Sequence, residues 1–241
     1  MTNTLLSLQA EVPVSRISIV IPALNEAPSI RQTLLTLQPL RQSGHEVIVV
    51  DGTSHDATET IAQPFSDHMI RSLPGRARQL NTGALIAKGE ILLFLHADTT
   101  LPPAADRLII DGMKTTDRHW GRFDVQLSGK QLLLRIVESL MNWRSRLTGI
   151  ATGDQAIFVS RTLFERVGGI PEIALMEDIA LSKLLKKNCR PLCLSQRVIT
   201  SSRRWEKNGV FRTILLMWHL RLAYALGANP LKLAQRYEKV K

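Results

Sequence analysis

Four short apolar runs, at residues 17–22, 46–50, 69–71 and 90–95, are each followed by a helix-length segment, and this constrains the chain more than any other feature. β-Branched residues dominate the first two (Ile17, Ile19, Val20, Ile21; Val47, Ile48, Val49, Val50), and runs so unbroken belong to strands buried on both faces. Alternation of such strands with helices implies right-handed βαβ units, a mostly parallel sheet and helices on its faces. The helices are marked by their ends. Asn25 is placed to cap one from residue 26, with Pro28 tolerated in its first turn. Asp56 opens a second through about residue 62. Pro74-Gly75-Arg76 leads into a third through residue 88, which Gly89 ends.

After Pro103 the regularity changes. A helix to about residue 115 precedes residues 120–127, whose alternation predicts a strand with one wet face. An amphipathic helix follows at 132–147, a strand at 155–160, a short helix at 163–167 and another helix at 178–187. Residues 210–226 are strongly apolar, but Arg212, His219 and Arg221 interrupt them. The stretch is too short and too charged to span a bilayer. The chain has 241 residues, 44% of them hydrophobic, enough for one packed α/β domain. The expected division is an N-terminal tail (1–15), one α/β domain (16–205) and a basic helical extension (206–241).

In a parallel sheet the strand ends share one edge, so Pro22-Ala23-Leu24-Asn25-Glu26, Asp51-Gly52-Thr53-Ser54 and His96-Ala97-Asp98 converge there. Asp98 emerges from Leu92-Leu93-Phe94-Leu95, where an unpaired carboxylate is costly, and in such a crevice its natural partner is a ligand or metal. The alternative is a helix cap, with Asp98 or Thr99 starting a helix at Pro102-Pro103. Gly52 permits a tight turn beneath a ligand, and Asp51 can accept hydrogen bonds from a base or sugar; an ordinary turn is the alternative.

The net charge of +10 is uneven: from Ser201 onward nine Lys and Arg face only Glu206 and Glu238. That field favours a diphosphate, an acidic membrane or a nucleic acid, and the 5% of aromatics, without a stacking pattern, argues against nucleic acid. Cys189 and Cys193, in Cys-Arg-Pro-Leu-Cys, lack the second half of a zinc site and read as reduced residues of a cytosolic protein. The first residues carry neither a basic region nor a long apolar segment, so no secretory signal is expected.

From about Ile17 to Trp205 the chain resembles the family 2 glycosyltransferases of the GT-A fold. The carriers are Ile21-Pro22-Ala23-Leu24-Asn25-Glu26, residues 51–58 beginning Asp51-Gly52-Thr53-Ser54, residues 75–84 beginning Gly75-Arg76-Ala77-Arg78, His96-Ala97-Asp98 and Glu177-Asp178, in that order and spacing. Gly153-Asp154-Gln155-Ala156 and Leu175-Met176-Glu177-Asp178 look most like a small soluble bacterial branch. The resemblance implies that Pro22, Ala23, Asn25 and Glu26 line a nucleotide pocket, that Asp51 recognises the base, and that Arg76 approaches base and phosphates. Asp98 matches the last position of the family's Asp-x-Asp signature, which binds a divalent cation (Mn²⁺ or Mg²⁺) on the donor diphosphate. The first position is His96 here, a residue that ligates Mn²⁺ but suits Mg²⁺ poorly; a hydrogen bond to the ribose, or simple packing, is its alternative. Asp178 matches the general base of inverting members, with Glu177 orienting it or contacting the acceptor.

Gly153, Asp154 and Gln155 are expected on the pocket floor, with Arg203, Arg204 and Trp205 helping at the diphosphate. A basic helix start with Trp205 packed inside is the alternative for that triplet. The expected function is inverting, metal-dependent transfer from a nucleotide-diphosphate sugar, with uridine slightly preferred, to a lipid or apolar acceptor. One or both of residues 132–147 and 210–226 would lie on the inner face of a membrane; packing on the domain or on a homodimer partner is the alternative. Two other readings compete: a non-catalytic nucleotide- or membrane-binding module, and a sugar-nucleotide nucleotidyltransferase. The latter wants a glycine-rich basic loop after the first strand, which Ala23-Leu24-Asn25-Glu26 does not supply.

Overall fold

The computed structural model describes residues 15–238; the expected tail, apart from Ser15, lies outside them. Strand β1 (Ile17–Ala23) is followed by helices α1 (Ala27–Thr36) and α2 (Gln38–Gln42), β2 (Glu46–Asp51), α3 (Thr58–Ala62), β3 (His68–Arg71), α4 (Arg76–Ile86) and β4 (Ile91–Phe94). Then come β5 (Thr99–Thr100), α5 (Ala105–Thr116), β6 (Trp120–Leu127), α6 (Leu132–Thr148), β7 (Ile157–Ser160), α7 (Arg161–Arg166) and α8 (Glu177–Lys186). Strand β8 (Leu192–Thr200) and helices α9 (Arg203–Asn208), α10 (Val210–Ala225) and α11 (Pro230–Glu238) complete the order.

All eight strands form one sheet in the order β3-β2-β1-β4-β7-β6-β8-β5. Its first half, β3-β2-β1-β4, is parallel as expected, with Ala23 level with Asp51 and Val20 level with Phe94. The second half is mixed: β7 runs antiparallel to β4 and β6, β8 is parallel to β6, and β5 antiparallel to β8. The core lies on both faces of the sheet. One layer joins Ile19, Ile21, Val47 and Val49 to Leu34, Ile109 and Phe123; the other joins Val20, Ile48 and Val50 to Leu80, Ala84 and Trp120. Helix α4 sits very close to the sheet, because a Cβ at Gly83 would stand 2.4 Å from Val20 Cγ1.

Several expectations are corrected. Strand β6 has no wet face: Arg122 is wholly buried and pairs with Asp124, which also meets Arg146 of α6 at 2.8 Å. The alternation is real, but α6 covers the polar side. Strand β6 pairs with β7 only at Trp120 and Gly121, and α6 side chains take over the exposed ladder groups. The Asn142 amide holds both N–H and C=O of Val125, and Glu138 accepts from Leu127 N. Asn25 does not cap α1, which begins at Ala27 without a side-chain cap. Gly89 does not end α4, which stops at Ile86; its N–H instead donates to Ser18 Oγ at 2.8 Å. Neither Asp98 nor Thr99 caps a helix, because Thr99 and Thr100 pair with β8 and α5 starts only at Ala105. The strand expected from residue 155 begins at Ile157, after a 3-10 turn, Gly153–Gln155. Strand β8 was not foreseen: four of its nine residues are solvent-exposed and its register to β6 shifts between Phe123 and Asp124, which blurs the apolar alternation.

Candidate active site

The loops after β1 and β2 are interlocked. Asn25 N donates to Ser54 Oγ and Glu26 N to Thr58 Oγ1, both at 2.8 Å, while Ala27 N reaches Asp56 Oδ2 at 3.2 Å. The first amides of α1 are thus satisfied from the neighbouring loop. Asn25 itself adopts φ 56, and its Oδ1 accepts from His55 N. Asp51, at the end of β2, is 1% exposed; its Oδ2 accepts from Ser54 N at 2.9 Å, and its Oδ1 has no hydrogen-bond partner among the described residues. A buried carboxylate oxygen without a donor is costly and points to a missing partner. Gly52 leaves room for Gln79, whose Nε2 stands 2.9 Å from where a Cβ would be and donates to Ala23 O and Val50 O.

Asp98 is pinned from both sides. Thr33 of α1 donates to Ala97 O at 2.8 Å, and Thr99 Oγ1 meets Thr200 Oγ1 at 2.9 Å. The turn after β8 brings Arg203 over this loop, where Nη2 lies 3.2 Å from Glu26 Oε2 and 3.3 Å from Asp98 Oδ2. His96 Nδ1 faces Asp154 Oδ1 at 3.3 Å, and its ring lies so near Gly153 that a Cβ there would be 2.4 Å from Nε2. Arg76 of α4 pairs with Glu177 at 3.1 Å, and Gly153 N donates to Asp178 Oδ2 at 2.9 Å. A cavity of about 20 Å³ lies among Arg76, His96, Gly153, Glu177 and Asp178, floored by Phe94, Ile157 and Leu181. It has room for about one water. Of six non-glycine residues with positive φ among the described residues, Ala104 and Asp117 flank α5, and the other four, Asn25, Thr53, Ala156 and Met176, lie in the loops that carry the candidate residues, with φ of 56, 68, 48 and 70. Strain of this kind gathers at functional sites.

Burial, reinforced by the neighbouring Glu177 charge, pushes Asp178 up to about 6, against the Gly153 and Ile179 amides and Arg76. The same helix start would otherwise favour anions. Burial also works to raise Asp154, but the His96 hydrogen bond and the charges of His96, Arg76 and Arg204 outweigh it and hold that carboxyl below its ordinary value. Asp178 on the cavity and Asp154, which meets the cavity only through His96, are thereby driven in opposite directions, a pattern that separates acid–base roles.

The predicted residues are not all equally close. Glu26 and Asp98 meet through Arg203, His96 meets Asp154, Arg76 meets Glu177, and Gly153 meets Asp178. Pro22 and Ala23 end β1 beside Asp51. The Asp51 loop lies on the same edge, joined to the cluster by α4, which carries both Gln79 and Arg76. Gln155 turns inward, accepting from Thr152 N and reaching Asn142. Trp205 packs against Leu127, Leu134, Val137 and Val210, and Arg204 lies 4.3 Å from the centre of the Tyr237 ring. Arg144 was missed. Its Nε and Nη2 are buried without a hydrogen-bond partner among the described residues, and burial lowers its pKa against the pull of Asp178 and Asp154. No group of three His, Cys, Asp or Glu side chains placed to hold a metal occurs among the described residues. Of the two expected metal ligands, Asp98 pairs with Arg203 and His96 with Asp154; a single carboxylate fits a divalent cation only where substrate phosphates complete the shell.

A family model described as glycosyl transferase family 2 matches residues 18–157. Probable glycosyltransferase YdaM of Bacillus subtilis (strain 168) is 28% identical over 252 aligned positions, which cover 94% of this chain and 59% of that one. The chain spans about three-fifths or less of the length of the curated relatives it matches. Among solved structures, residues 1–349 of S. aureus TarS, in complex with UDP-GlcNAc, superpose with a TM-score of 0.65 at 17% identity, over 77% of this chain and 58% of that one. Mannosyltransferase PcManGT from Pyrobaculum calidifontis, in complex with GDP-Man and Mn²⁺, gives 0.60 at 21% identity, over 94% and 70%. The fold is the one these glycosyltransferases share.

Proposed function

Because the chain belongs to glycosyl transferase family 2, we propose that its cleft transfers a sugar from a nucleotide-diphosphate donor to an acceptor alcohol with inversion at the anomeric carbon. The observation that carries this reading is the carboxylate of Asp178, raised to about 6 at a cavity it shares with Glu177, Arg76 and His96. An acceptor hydroxyl must lose its proton as it attacks, and a carboxylate poised near neutrality is suited to take it. Glu177 holds Arg76 in place and, by its charge, keeps Asp178 basic enough to work.

The donor end is assigned by the unpaired oxygen of Asp51, which awaits a donor such as a base N–H, with Pro22, Ala23, Asn25 and Glu26 as the adjoining wall. Asp98, with His96 beside it, would hold a divalent cation on the diphosphate; bound there, the cation would offset the charge that develops on the leaving group. Arg203 and Arg204 supply further positive charge on the same side, and Arg76 does so near the sugar. Gly153 borders the cavity, and Asp154 beside it orients His96. Gln155 and Trp205 support this arrangement from within.

Titration calorimetry with UDP and GDP, with and without Mn²⁺, tests the reading. Nucleotide binding that tightens by at least about tenfold with Mn²⁺ is expected, since Asp98 alone is a thin cage that the phosphates must complete. Binding indifferent to metal, together with undetectable donor hydrolysis, would favour a non-catalytic binding module instead.

A further inference from the structure

Helices α6 and α10 are apolar on two sides. Their inner sides meet in one cluster, where Leu134 and Val137 of α6 touch Val210 and Ile214 of α10. Their outer sides carry a second stripe that the fold does not use: Ile136, Leu140 and Trp143 on α6, and Leu215, Trp218 and Leu222 on α10. All six are more than half exposed, Trp143 at 63% and Trp218 at 67%. At 3.6 residues per turn these spacings place each outer stripe on the side of its helix away from the packed residues. Two helices that touch through one cluster thus each leave an apolar stripe uncovered by the described residues, and exposed apolar patches mark interaction sites.

Charge selects the occupant. Helix α10 contains Arg212 and Arg221 and no acidic residue, and the only acid of α6, Glu138, is buried beneath Arg135. The whole chain carries +10. A second copy would bring the same cations to the same face and be repelled, whereas an anionic bilayer complements them. Tryptophan within each stripe suits the headgroup level, where its ring is amphipathic. No helix among the described residues is long and apolar enough to cross a membrane, so the contact is in the plane of the interface. The inner side of α10 packs on Met176 and Ile179, the neighbours of Glu177 and Asp178, so the face and the candidate site share one helix.

We infer that α6 and α10 form a membrane-docking face, whose two apolar stripes enter the headgroup boundary of an anionic lipid bilayer. The docking does not depend on the reaction proposed above. The test is co-sedimentation of the full chain with phosphatidylcholine vesicles, with and without phosphatidylglycerol, alongside tryptophan emission. The chain is expected to pellet with the anionic vesicles at low salt and to shift its emission to the blue. The pair Trp143→Ser and Trp218→Ser should weaken that partitioning by on the order of tenfold or more. Both positions are exposed, so the pair should leave thermal unfolding and UDP–Mn²⁺ binding unchanged. Absence of pelleting, equal pelleting with neutral vesicles, or pelleting indifferent to the pair would overturn the inference. So would a dimer in sedimentation that the pair abolishes while vesicles go unbound. Loss of UDP–Mn²⁺ binding in the unaltered chain would strike at the proposed reaction and leave the docking face standing.

Discussion

Asp178→Asn is expected to lower sugar transfer by on the order of 10²–10⁴-fold, the range for removing a general base, while UDP–Mn²⁺ binding persists. Its carboxylate is partly buried beside the like charge of Glu177, and among the described residues its hydrogen bonds come from the backbone amides of Gly153 and Ile179. The same argument fixes the pH profile. Transfer should rise as pH climbs through about 6, where Asp178 ionises. Stability moves the other way. The folded pKa lies above the ordinary 3.8, so this group's contribution is whole below about pH 4 and is lost as pH rises through the folded value. At about pH 8 the ionised side chain therefore costs stability, and the Asn variant should melt no lower than the parent, and by a few degrees higher if its amide keeps one backbone contact. Activity lost with stability kept marks a residue held for chemistry. Near-normal turnover in this variant, measured with saturating donor, would remove Asp178 from that role.

Asp98→Ala is expected to abolish the Mn²⁺ dependence of nucleotide binding and to reduce transfer by on the order of 10²–10³-fold, since the cation's anchor on the protein is gone. Folding should suffer little. Asp98 gives up one ion pair, to the half-exposed Arg203, which keeps Glu26, and such a pair is worth no more than about 1 kcal/mol. Calorimetry of UDP with and without Mn²⁺ checks this in the variant: equal affinities are expected, and a retained metal effect would place the cation elsewhere.

What could be read from the residues, and what could not, follows from where each signal lives. The parallel half of the sheet was legible because Ile17–Ala23 and Glu46–Asp51 are buried on both faces and their β-branched runs say so. Their polar ends were legible as a converging edge for the same reason. Strand β8 was not, because Ser195, Gln196 and Arg197 interrupt it where it is exposed. The polar alternation of β6 was seen and its meaning mistaken, since only the tertiary structure tells that α6 supplies partners for Arg122 and Asp124. Asn25 illustrates the same limit: its capping chemistry is used, but on His55 across the loop. In the site, Asp98 announced itself by its position after an apolar segment, whereas Asp154 and Asp178 were legible only through the family resemblance. Arg144 could not, because a guanidinium on a helix stripe reads like any solvated one until burial removes its water.

The central claim is spatial: one donor spans from Asp51 to Asp98 with its anomeric carbon facing Asp178. The most direct measurement is a structure of this chain with a nucleotide-diphosphate sugar and Mn²⁺. The base should hydrogen-bond the orphaned Oδ1 of Asp51, the cation should sit on Asp98, and Asp178 should stand within reach of an alcohol approaching the far face of the sugar. A nucleotide bound away from Asp51, or a sugar whose anomeric carbon is turned from Asp178, would contradict it.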